Sequence, residues 1–577
     1  MQSENRIIVL KFGSSVLRNE ADLPTAVHEI YRWWREGFQV VAVVSAFGNT
    51  TDELTQRAHS VCDEPNDELV AALLATGEAT SSVLLGLALN RSGIPATVLD
   101  AEKAGLGTAG PILDAALTSV DTSSILDALK AGIVVLPGFV GKSRSGKTTL
   151  LGRGGSDLTA LFLAQRLGGI CRLIKDVDGL YTSDPNIHTG PSPARFLRVR
   201  YATAARVGGA VVQPKAIEFA EHQRLRFSVS SIGSDRATEV GPHADSVALA
   251  DAQVRPIRIA LLGCGTVGGG VYKRLAALPE FFNVVAVGAR NLEQAVESGV
   301  PVKVLTAHLD ELIREPVDVV IELLGGIEPA RTLTSDALRR GCHVVTANKA
   351  LLAEDLTRLQ RLATNSGTTL SYSAAVGAVM PALESIRRVR RHTHLHSISA
   401  VLNGTTNFIL DRLGEGCDLD RAILAAQNNG YAERDPTLDL NGTDAAQKLI
   451  LLARAAFDVD LPLRSIEIRG IGDLNTGRIK EARNNGRVIR LVAECKREPR
   501  GIAARVGPVE LSPDHPFASV SGVENRLLIQ SQTGESWEIG GRGAGRWPTT
   551  EAVLSDLFDL HRALVRNAAD EEQECVA

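Results

Sequence analysis

The 577-residue sequence contains no C-x-x-C pair. Its seven cysteines, Cys62, Cys171, Cys264, Cys342, Cys417, Cys495 and Cys575, are odd in number and scattered along the chain. That pattern excludes a disulfide framework and a cysteine zinc site and leaves reduced thiols. Excess charge of one sign is also missing: 62 Lys and Arg stand against 67 Asp and Glu, for a formal net charge of -5. Such a balance gives no electrostatic case for nucleic acid or an anionic membrane as partner, and small-molecule chemistry is expected. Met1-Gln-Ser-Glu-Asn-Arg runs directly into the strand-like Ile7–Leu10 with no basic region and no long apolar run. Neither a signal peptide nor a membrane span is expected there, and a cytoplasmic location follows. Short-period repeats and low-complexity tracts are absent.

What is present is an ordinary globular composition, 44% hydrophobic and 22% charged, in a chain too long for one hydrophobic core. Apolar runs of four to six residues alternate with longer helical patterns in both halves, which predicts α/β architecture with largely parallel sheets. One polar, turn-rich interruption runs from Gly233 to Arg255, before Ile257-Arg-Ile-Ala-Leu-Leu262 starts a new strand. The expected division is therefore 1–232, a linker 233–256, a nucleotide-binding part 257–390 and a last part 391–577 that returns to it.

In the second half, Ile259-Ala-Leu-Leu-Gly263-Cys-Gly265-Thr266-Val267-Gly268 reads as a strand, a G-x-G-x-x-G turn and a helix start. That context is the one a dinucleotide fingerprint requires, because the glycines let helix N-terminal amides approach a pyrophosphate. The next strand, Val284–Val287, leads into Arg290 instead of an acidic residue. An arginine there suits a 2′-phosphate, so NADPH is preferred, with NADH as the alternative; the bland reading of Arg290 is a solvated loop charge. Two further strands end in Glu322-Leu-Leu-Gly325-Gly326 and Thr346-Ala-Asn348-Lys349, and ligand crevices lie beyond such strand ends.

Farther on, Gly430-Tyr-Ala-Glu433-Arg-Asp435-Pro-Thr-Leu-Asp439-Leu-Asn-Gly442-Thr-Asp444-Ala-Ala-Gln-Lys448 concentrates carboxylates in a short span and then runs into an apolar helix. Asp444 and Lys448 are spaced i, i+4 and share a helix face. The alternative is a surface helix with a single ion pair. With Ser373-Ala-Ala-Val376-Gly377-Ala378, Leu402-Asn403-Gly404-Thr405-Thr406-Asn407 and Gly541-Arg-Gly543-Ala-Gly545, these motifs resemble the homoserine dehydrogenase family from about 257 to 562. The resemblance implies a Rossmann-type dinucleotide-binding domain followed by an α+β catalytic domain, dimerisation or higher homo-oligomerisation, and reversible reduction of L-aspartate 4-semialdehyde to L-homoserine. It implies Lys448 as the group that stabilises the alkoxide, and Lys349 beside the nicotinamide. Glu433, Asp439 and Asp444 would bind the amino group and position Lys448, and Asn403 and Thr405 would line the pocket. Gly263, Gly265, Thr266, Val267, Gly268, Gly325, Thr346 and Gly543 would meet the cofactor. The family also binds a sodium ion through backbone carbonyls that fall on Val376 and Ala378, with Ser373 where some members supply a carboxylate.

In the first half, Lys11-Phe-Gly13-Ser14-Ser15 closes a strand with groups apt for phosphate oxygens. With Ser45-Ala46, Thr76-Gly77-Glu78, Gly152-Arg153-Gly154-Gly155-Ser156-Asp157 and Lys175-Asp176-Val-Asp178-Gly179-Leu-Tyr181-Thr-Ser-Asp184-Pro185, it resembles the amino-acid kinase fold, and within it aspartate kinase, over about 6 to 232. The resemblance implies phosphorylation of L-aspartate by ATP with Mg2+. Lys11 would stabilise the phosphoryl group, Glu78 and Arg153 would bind aspartate, Ser45 and Asp157 would organise the site, and Asp176, Asp178, Tyr181 and Asp184 would border the nucleotide. Ser14 and Ser15 replace a glycine and a threonine of the family pattern, and Gln213-Pro214 replaces its His-Pro. An inactive, scaffold-like or ligand-binding kinase domain is the alternative reading. The paired small regulatory domains usual beside such enzymes find no room between Ser231 and Ile257, and only about fifteen residues follow the helix after Pro548.

Two motifs point elsewhere. Gly141-Lys-Ser-Arg-Ser-Gly146-Lys147-Thr148 satisfies the Walker A pattern, but a hairpin is expected because Thr148-Thr-Leu reads as a strand and not a helix. His392, His394 and His396 alternate as metal ligands on one strand face would, although a solvated face is the expected reading.

Overall fold

The structure, a computed structural model, describes residues 6–184, 193–209, 211–248, 255–472, 474 and 476–576. It forms two compact units divided at residues 253 and 254, with Leu564 onward counted with the first.

The first unit is built on a nine-stranded sheet. At its centre, Ile7–Phe12 pairs in parallel with Gln39–Val44 on one side and Ile170–Ile174 on the other. Ile133–Pro137 and Ala96–Val98 extend the first side; Phe227–Ser230, Thr238–Val240, Phe196–Val199 and Ser246–Val247 extend the second. Ile7–Phe12 and Ile133–Pro137 are buried throughout, as strands covered on both faces must be. The helix Asp67–Arg91, capped by Asn66, is long and apolar enough to cross a membrane by length and composition. Its Val70, Leu74, Leu85 and Leu89 instead bury against this unit's core, and they carry Glu78 inward with them.

The stretch expected as a linker is different in its first part. Thr238–Val240 pairs with both Phe227–Ser230 and Phe196–Val199, and Ser246–Val247 pairs antiparallel with Phe196–Val199. The sequence looked like linker because outer strands are short and partly exposed. Here Thr238 supplies the anchor, its buried hydroxyl donating to the Phe196 carbonyl and accepting from the Leu180 amide. Residues 249–254 of that stretch, together with Pro185 of the kinase-like motifs, lie outside the described residues. The Walker-like segment is the expected hairpin: Val140–Ser143 pairs antiparallel with Thr148–Leu150, and Lys147 Nζ pairs with Glu68.

In the second unit a six-stranded parallel sheet has the order Leu305–Thr306, Phe282–Gly288, Ile257–Leu262, Val319–Glu322, His343–Thr346, Leu370–Ser371. In chain order this is 3-2-1-4-5-6, the doubly wound dinucleotide arrangement. A second six-stranded sheet follows, Glu467–Ile468, Gly501–Leu511, Val488–Glu498, Leu395–Val401, Glu524–Ser531, Ser536–Arg542, antiparallel except at its first pair. Helix Thr443–Phe457 is buried on most of its surface, with Leu449, Leu451 and Leu452 wholly enclosed. Gly442 at φ 84° lets the chain turn into it. The final helix, from Arg546, returns to the nucleotide-binding part, where Glu551 lies 3.5 Å from Arg274 and Phe558 stacks edge-on against Phe282. His392 and His394 precede the strand Leu395–Val401, His396 lies in it, and all three are exposed. Among the described residues no His, Cys, Asp or Glu cluster could hold a metal.

Candidate active sites

At the end of Ile257–Leu262 the chain turns through Gly263, at φ 98°, where a side chain would meet the Leu323 carbonyl at 2.6 Å. Gly268 is held equally closely: a Cβ there would lie 2.0 Å from the Gly263 carbonyl. Gly265, between them, faces open space and precedes the helix Thr266–Ala276 with no side-chain cap. The amides of Thr266 and Val267 therefore begin a helix whose first donors await an acceptor, a fit for a pyrophosphate. Arg290 is exposed just beyond Phe282–Gly288, at the place a ribose-recognising residue occupies. Gly325 and Gly326 both have positive φ, 74° and 71°, beyond the end of Val319–Glu322.

The residues expected to handle substrate come together. Asp444, in the first turn of Thr443–Phe457, is buried between Lys448 Nζ, 3.0 Å from Oδ2, and Lys349 Nζ, 3.1 Å from Oδ1. Asn403 Nδ2 donates to Asp444 Oδ2 at 2.8 Å and to Asp439 Oδ1 at 2.6 Å. Lys448 Nζ donates to the Leu402 carbonyl at 2.7 Å. Burial pushes the Asp444 carboxyl up, but Lys448, Lys349 and the Asn403 and Lys448 hydrogen bonds prevail and hold it well below the usual carboxylate range. Asp444, foremost, raises Lys349, with smaller contributions from Asp439 and Glu433. Burial raises Asp439. Thr405 donates its hydroxyl to the Tyr431 carbonyl and so ties the Asn403 turn to the Glu433 loop.

Two contributors to this half were missed by sequence reasoning. Asn525 donates from Nδ2 to the same Leu402 carbonyl that Lys448 uses, at 3.1 Å. Its side chain lies over Gly543, where a Cβ would fall 1.6 Å from Asn525 Nδ2, so Gly543 leaves room for this second polar contact. A lone Asn in an antiparallel strand carries no signal for such a role. The other is Glu384, whose carboxylate accepts from the Ser373 hydroxyl at 2.6 Å. Ser373 has no carboxylate of its own, yet one stands beside it. Next to it Ala378 adopts φ 45° and ψ -117°, a conformation that residues with a Cβ rarely take. Backbone carbonyls of Val376 and Ala378 and this carboxylate are hard oxygens, the donor type a sodium ion takes.

In the first unit a cavity of about 760 Å³ is lined by Lys11, Ser14, Ser15, Ser45, Glu78, Arg153, Asp157, Lys175, Asp176, Tyr181, Asp184 and Gln213, among others. Lys11 Nζ lies 2.8 Å from Asp157 Oδ1, and Lys175 Nζ lies 2.9 Å from Oδ2. Asp157 is the third residue of the helix Gly155–Leu167, whose glycine N-cap, Gly154, has φ 82°. Burial works to raise Asp157, but Lys11 and then Lys175 keep it lowered. Burial depresses Lys175 to about 8, although it was not among the expected site residues. Its signal was its place directly after the buried run Cys171–Ile174. Asp178 turns to Tyr181, whose hydroxyl donates to it at 2.6 Å. Among the described residues the non-glycine positions with positive φ are Phe139, Arg224, Ala378 and Asp458, so Ser14 makes its turn without strain. Burial raises Glu78 to about 7; its Oε1 accepts weakly from the Ala46 amide, and its Oε2 has no hydrogen-bond partner among the described residues. An orphaned buried carboxylate oxygen in a cavity fits the ammonium of an amino acid.

Comparison with known proteins finds two families along the chain. The amino acid kinase family matches residues 6–229, the NAD-binding domain of homoserine dehydrogenase matches 263–373, and the homoserine dehydrogenase domain matches 381–558. The homoserine dehydrogenase of Synechocystis sp. is 36% identical over 316 residues, covering 53% of this chain and 73% of that protein. That of Bacillus subtilis is 33% identical, covering 53% and 72%. The crystal structure of a homoserine dehydrogenase from Thiobacillus denitrificans has a TM-score of 0.51 at 35% identity, covering 53% of this chain and 73% of that one. The chain belongs to the homoserine dehydrogenase family and carries an amino acid kinase domain ahead of it, the domain arrangement of a bifunctional aspartokinase–homoserine dehydrogenase.

Proposed function

We propose that the second half catalyses the reversible reduction of L-aspartate 4-semialdehyde to L-homoserine with NADPH, and that the first half phosphorylates L-aspartate to 4-phospho-L-aspartate with ATP. The observation that carries the first reading is the Lys349–Asp444–Lys448 chain with Asn403 and Asp439 at one end of it. When bound, the nicotinamide supplies the hydride that reduces the aldehyde carbon. The aldehyde oxygen then carries developing negative charge, which requires a preorganised donor. Lys448 meets that requirement: an ammonium has three hydrogens, and two are directed at the Leu402 carbonyl and Asp444, leaving the third for the substrate oxygen. Asp444 pairs with Lys448 at 3.0 Å and fixes its direction. Asp439 and Glu433 offer carboxylates to the substrate ammonium, and Lys349 stands on the cofactor side of Asp444. Arg290 would pair with a 2′-phosphate, which is why NADPH is preferred to NADH. The oxygens of Val376, Ala378 and Glu384 would hold a sodium ion, which would stiffen the turn there. Purified protein with L-homoserine and either nicotinamide cofactor should form the reduced cofactor; no formation with either one contradicts this reading.

The kinase reading rests on the cavity that joins Lys11, Lys175, Asp157 and Glu78. Phosphoryl transfer needs cations around the transferring group, and two ammonium groups are already held on one carboxylate. Glu78 and Arg153 supply opposite charges for the ammonium and carboxylate of aspartate. Asp176 and Asp184 line the side where Mg2+ would neutralise the polyphosphate. Transfer of label from γ-labelled ATP to L-aspartate tests it, and a protein that transfers none has a scaffold or ligand-binding domain in this place.

A further inference from the structure

Glu322 is the last residue of Val319–Glu322 and is wholly buried. It stands in register with Leu262 on one neighbouring strand and with Thr346 on the other. In a 3-2-1-4-5-6 sheet the first three strands form one mononucleotide-binding half and the last three the other; with the ribose-recognising position at the end of strand 2, the nicotinamide half falls to strands 4 to 6. Glu322 and Thr346, at the ends of the fourth and fifth strands, lie on that side.

Its hydrogen bonds define its form. Oε1 accepts from the Leu324 amide at 2.9 Å and from Asn348 Nδ2 at 3.2 Å, while Oε2 bonds Thr346 Oγ1 at 2.6 Å. Thr346 Oγ1 itself accepts from the Asn348 amide at 3.0 Å, so its own hydrogen is directed at Glu322. These three neighbours present hydrogens, and an ionised carboxylate is the acceptor-only form that answers them. Burial, the largest influence, raises the carboxyl above its ordinary value, while the bonds from Thr346, Leu324, Asn348 and Gly325 favour the charged form. The same contacts fix two turns. Asn348 also donates from Nδ2 to the Gly326 carbonyl at 2.7 Å, and its Oδ1 caps the helix Lys349–Asn365 by accepting from the Leu351 amide. Lys349, the partner of Asp444, is the first residue of that helix.

Resting on the reading of this half as a nicotinamide-dependent dehydrogenase, we propose that Glu322 is a positioning residue that holds the Leu324–Gly326 and Thr346–Lys349 turns at the nicotinamide end of the site, and that its buried charge favours the oxidised, cationic ring over the reduced, neutral one. Glu322→Gln tests both parts, because its amide group must face one of the donors now bound. Binding of NADP+ and of NADPH to the full chain is titrated separately. Loss of a charge near a cationic ring in a partly desolvated site is worth on the order of tenfold. The expected result is about tenfold greater weakening of NADP+ than of NADPH, together with a lower kcat. Glu322→Asp keeps the charge but shortens the reach, so it should preserve the ratio of the two affinities while lowering kcat. Equal weakening of both cofactors in the Gln variant, or a tenfold change of ratio in the Asp variant, overturns the proposal. Unmodified protein that binds neither cofactor contradicts the dehydrogenase reading itself, and the proposal with it.

Discussion

Lys349 Nζ lies 3.1 Å from Asp444 Oδ1, which joins the first turn of a helix in the nucleotide-binding part to the first turn of a helix in the catalytic part. Asp444 answers Lys448 with its other oxygen, so one carboxylate sets two ammonium groups. Asp444→Asn should therefore act on stability as well as on rate. Removing one member of a buried ion pair costs about 3–5 kcal/mol, and most of that loss should come from Lys448, since Lys349 is partly exposed. Thermal unfolding followed with and without cofactor checks this, and an unchanged midpoint would show that the ammonium groups find other partners.

Gly543→Ala should disturb the same site from behind. The new methyl would occupy the place of the Asn525 amide, 1.6 Å from Nδ2, and displace it from the Leu402 carbonyl. Overpacking of this kind costs about 1–3 kcal/mol. The expected outcome is a lowered unfolding midpoint and lowered turnover, whereas Asn525→Ala combined with Gly543→Ala should recover part of the stability.

Glu78 gives a pH prediction with a definite sign. Its folded pKa is raised to about 7, above the ordinary carboxylate value, because burial outweighs the Ala46 amide and Lys11. Between roughly pH 4.5 and 7 the folded form binds the proton and the unfolded form does not. Stability of the first unit should thus fall as pH rises through that window, by at most about 1.4 kcal/mol per pH unit from this group. In Glu78→Gln the corresponding slope should flatten, as read from denaturant unfolding at several pH values.

Lys147 and Lys11 should separate the two phosphate-like motifs. Lys147 sits on a hairpin, half exposed, paired with Glu68, and surface pairs contribute about 0–1 kcal/mol. Lys147→Ala should leave aspartate phosphorylation within twofold of the unmodified protein. Lys11→Ala removes a cation from the cavity and should lower it by about 100-fold or more. Label transfer from ATP under identical conditions measures both, and equal losses would contradict the assignment of the cavity.

Strand ends and glycine turns were legible in the sequence because their chemistry is local. Gly268 must lack a side chain for a reason set within a few residues, the Gly263 carbonyl, and Asp444 and Lys448 share a helix face by spacing alone. Lys349 was expected near the cofactor, but its bond to Asp444 crosses between two parts of the chain and leaves no trace in either segment. Asn525 was missed for that reason, its partner Leu402 lying 123 residues away, while Glu384 and Lys175 act on partners in neighbouring elements, 11 and 18 residues away. Polarity misled at 233–256, where an outer strand and a linker have the same composition and only the buried bonds of Thr238 tell them apart.

Arg290 is exposed beyond the second strand of the nucleotide-binding sheet. Arg290→Asp should weaken NADPH far more than NADH, since only the former carries a 2′-phosphate for the new charge to repel. Direct titration of both cofactors checks this, and equal weakening would make Arg290 a bystander.

The most direct test is the rate of L-aspartate 4-semialdehyde reduction by NADPH in unmodified protein and in Lys448→Ala, with cofactor affinity measured on both. Lys448 is buried at the Leu402 carbonyl and Asp444, with its remaining hydrogen free for the substrate oxygen. The account predicts unaltered cofactor binding and a loss of about 10²- to 10³-fold in turnover, the usual worth of one well-placed donor. A variant that keeps more than half of the unmodified rate would contradict it.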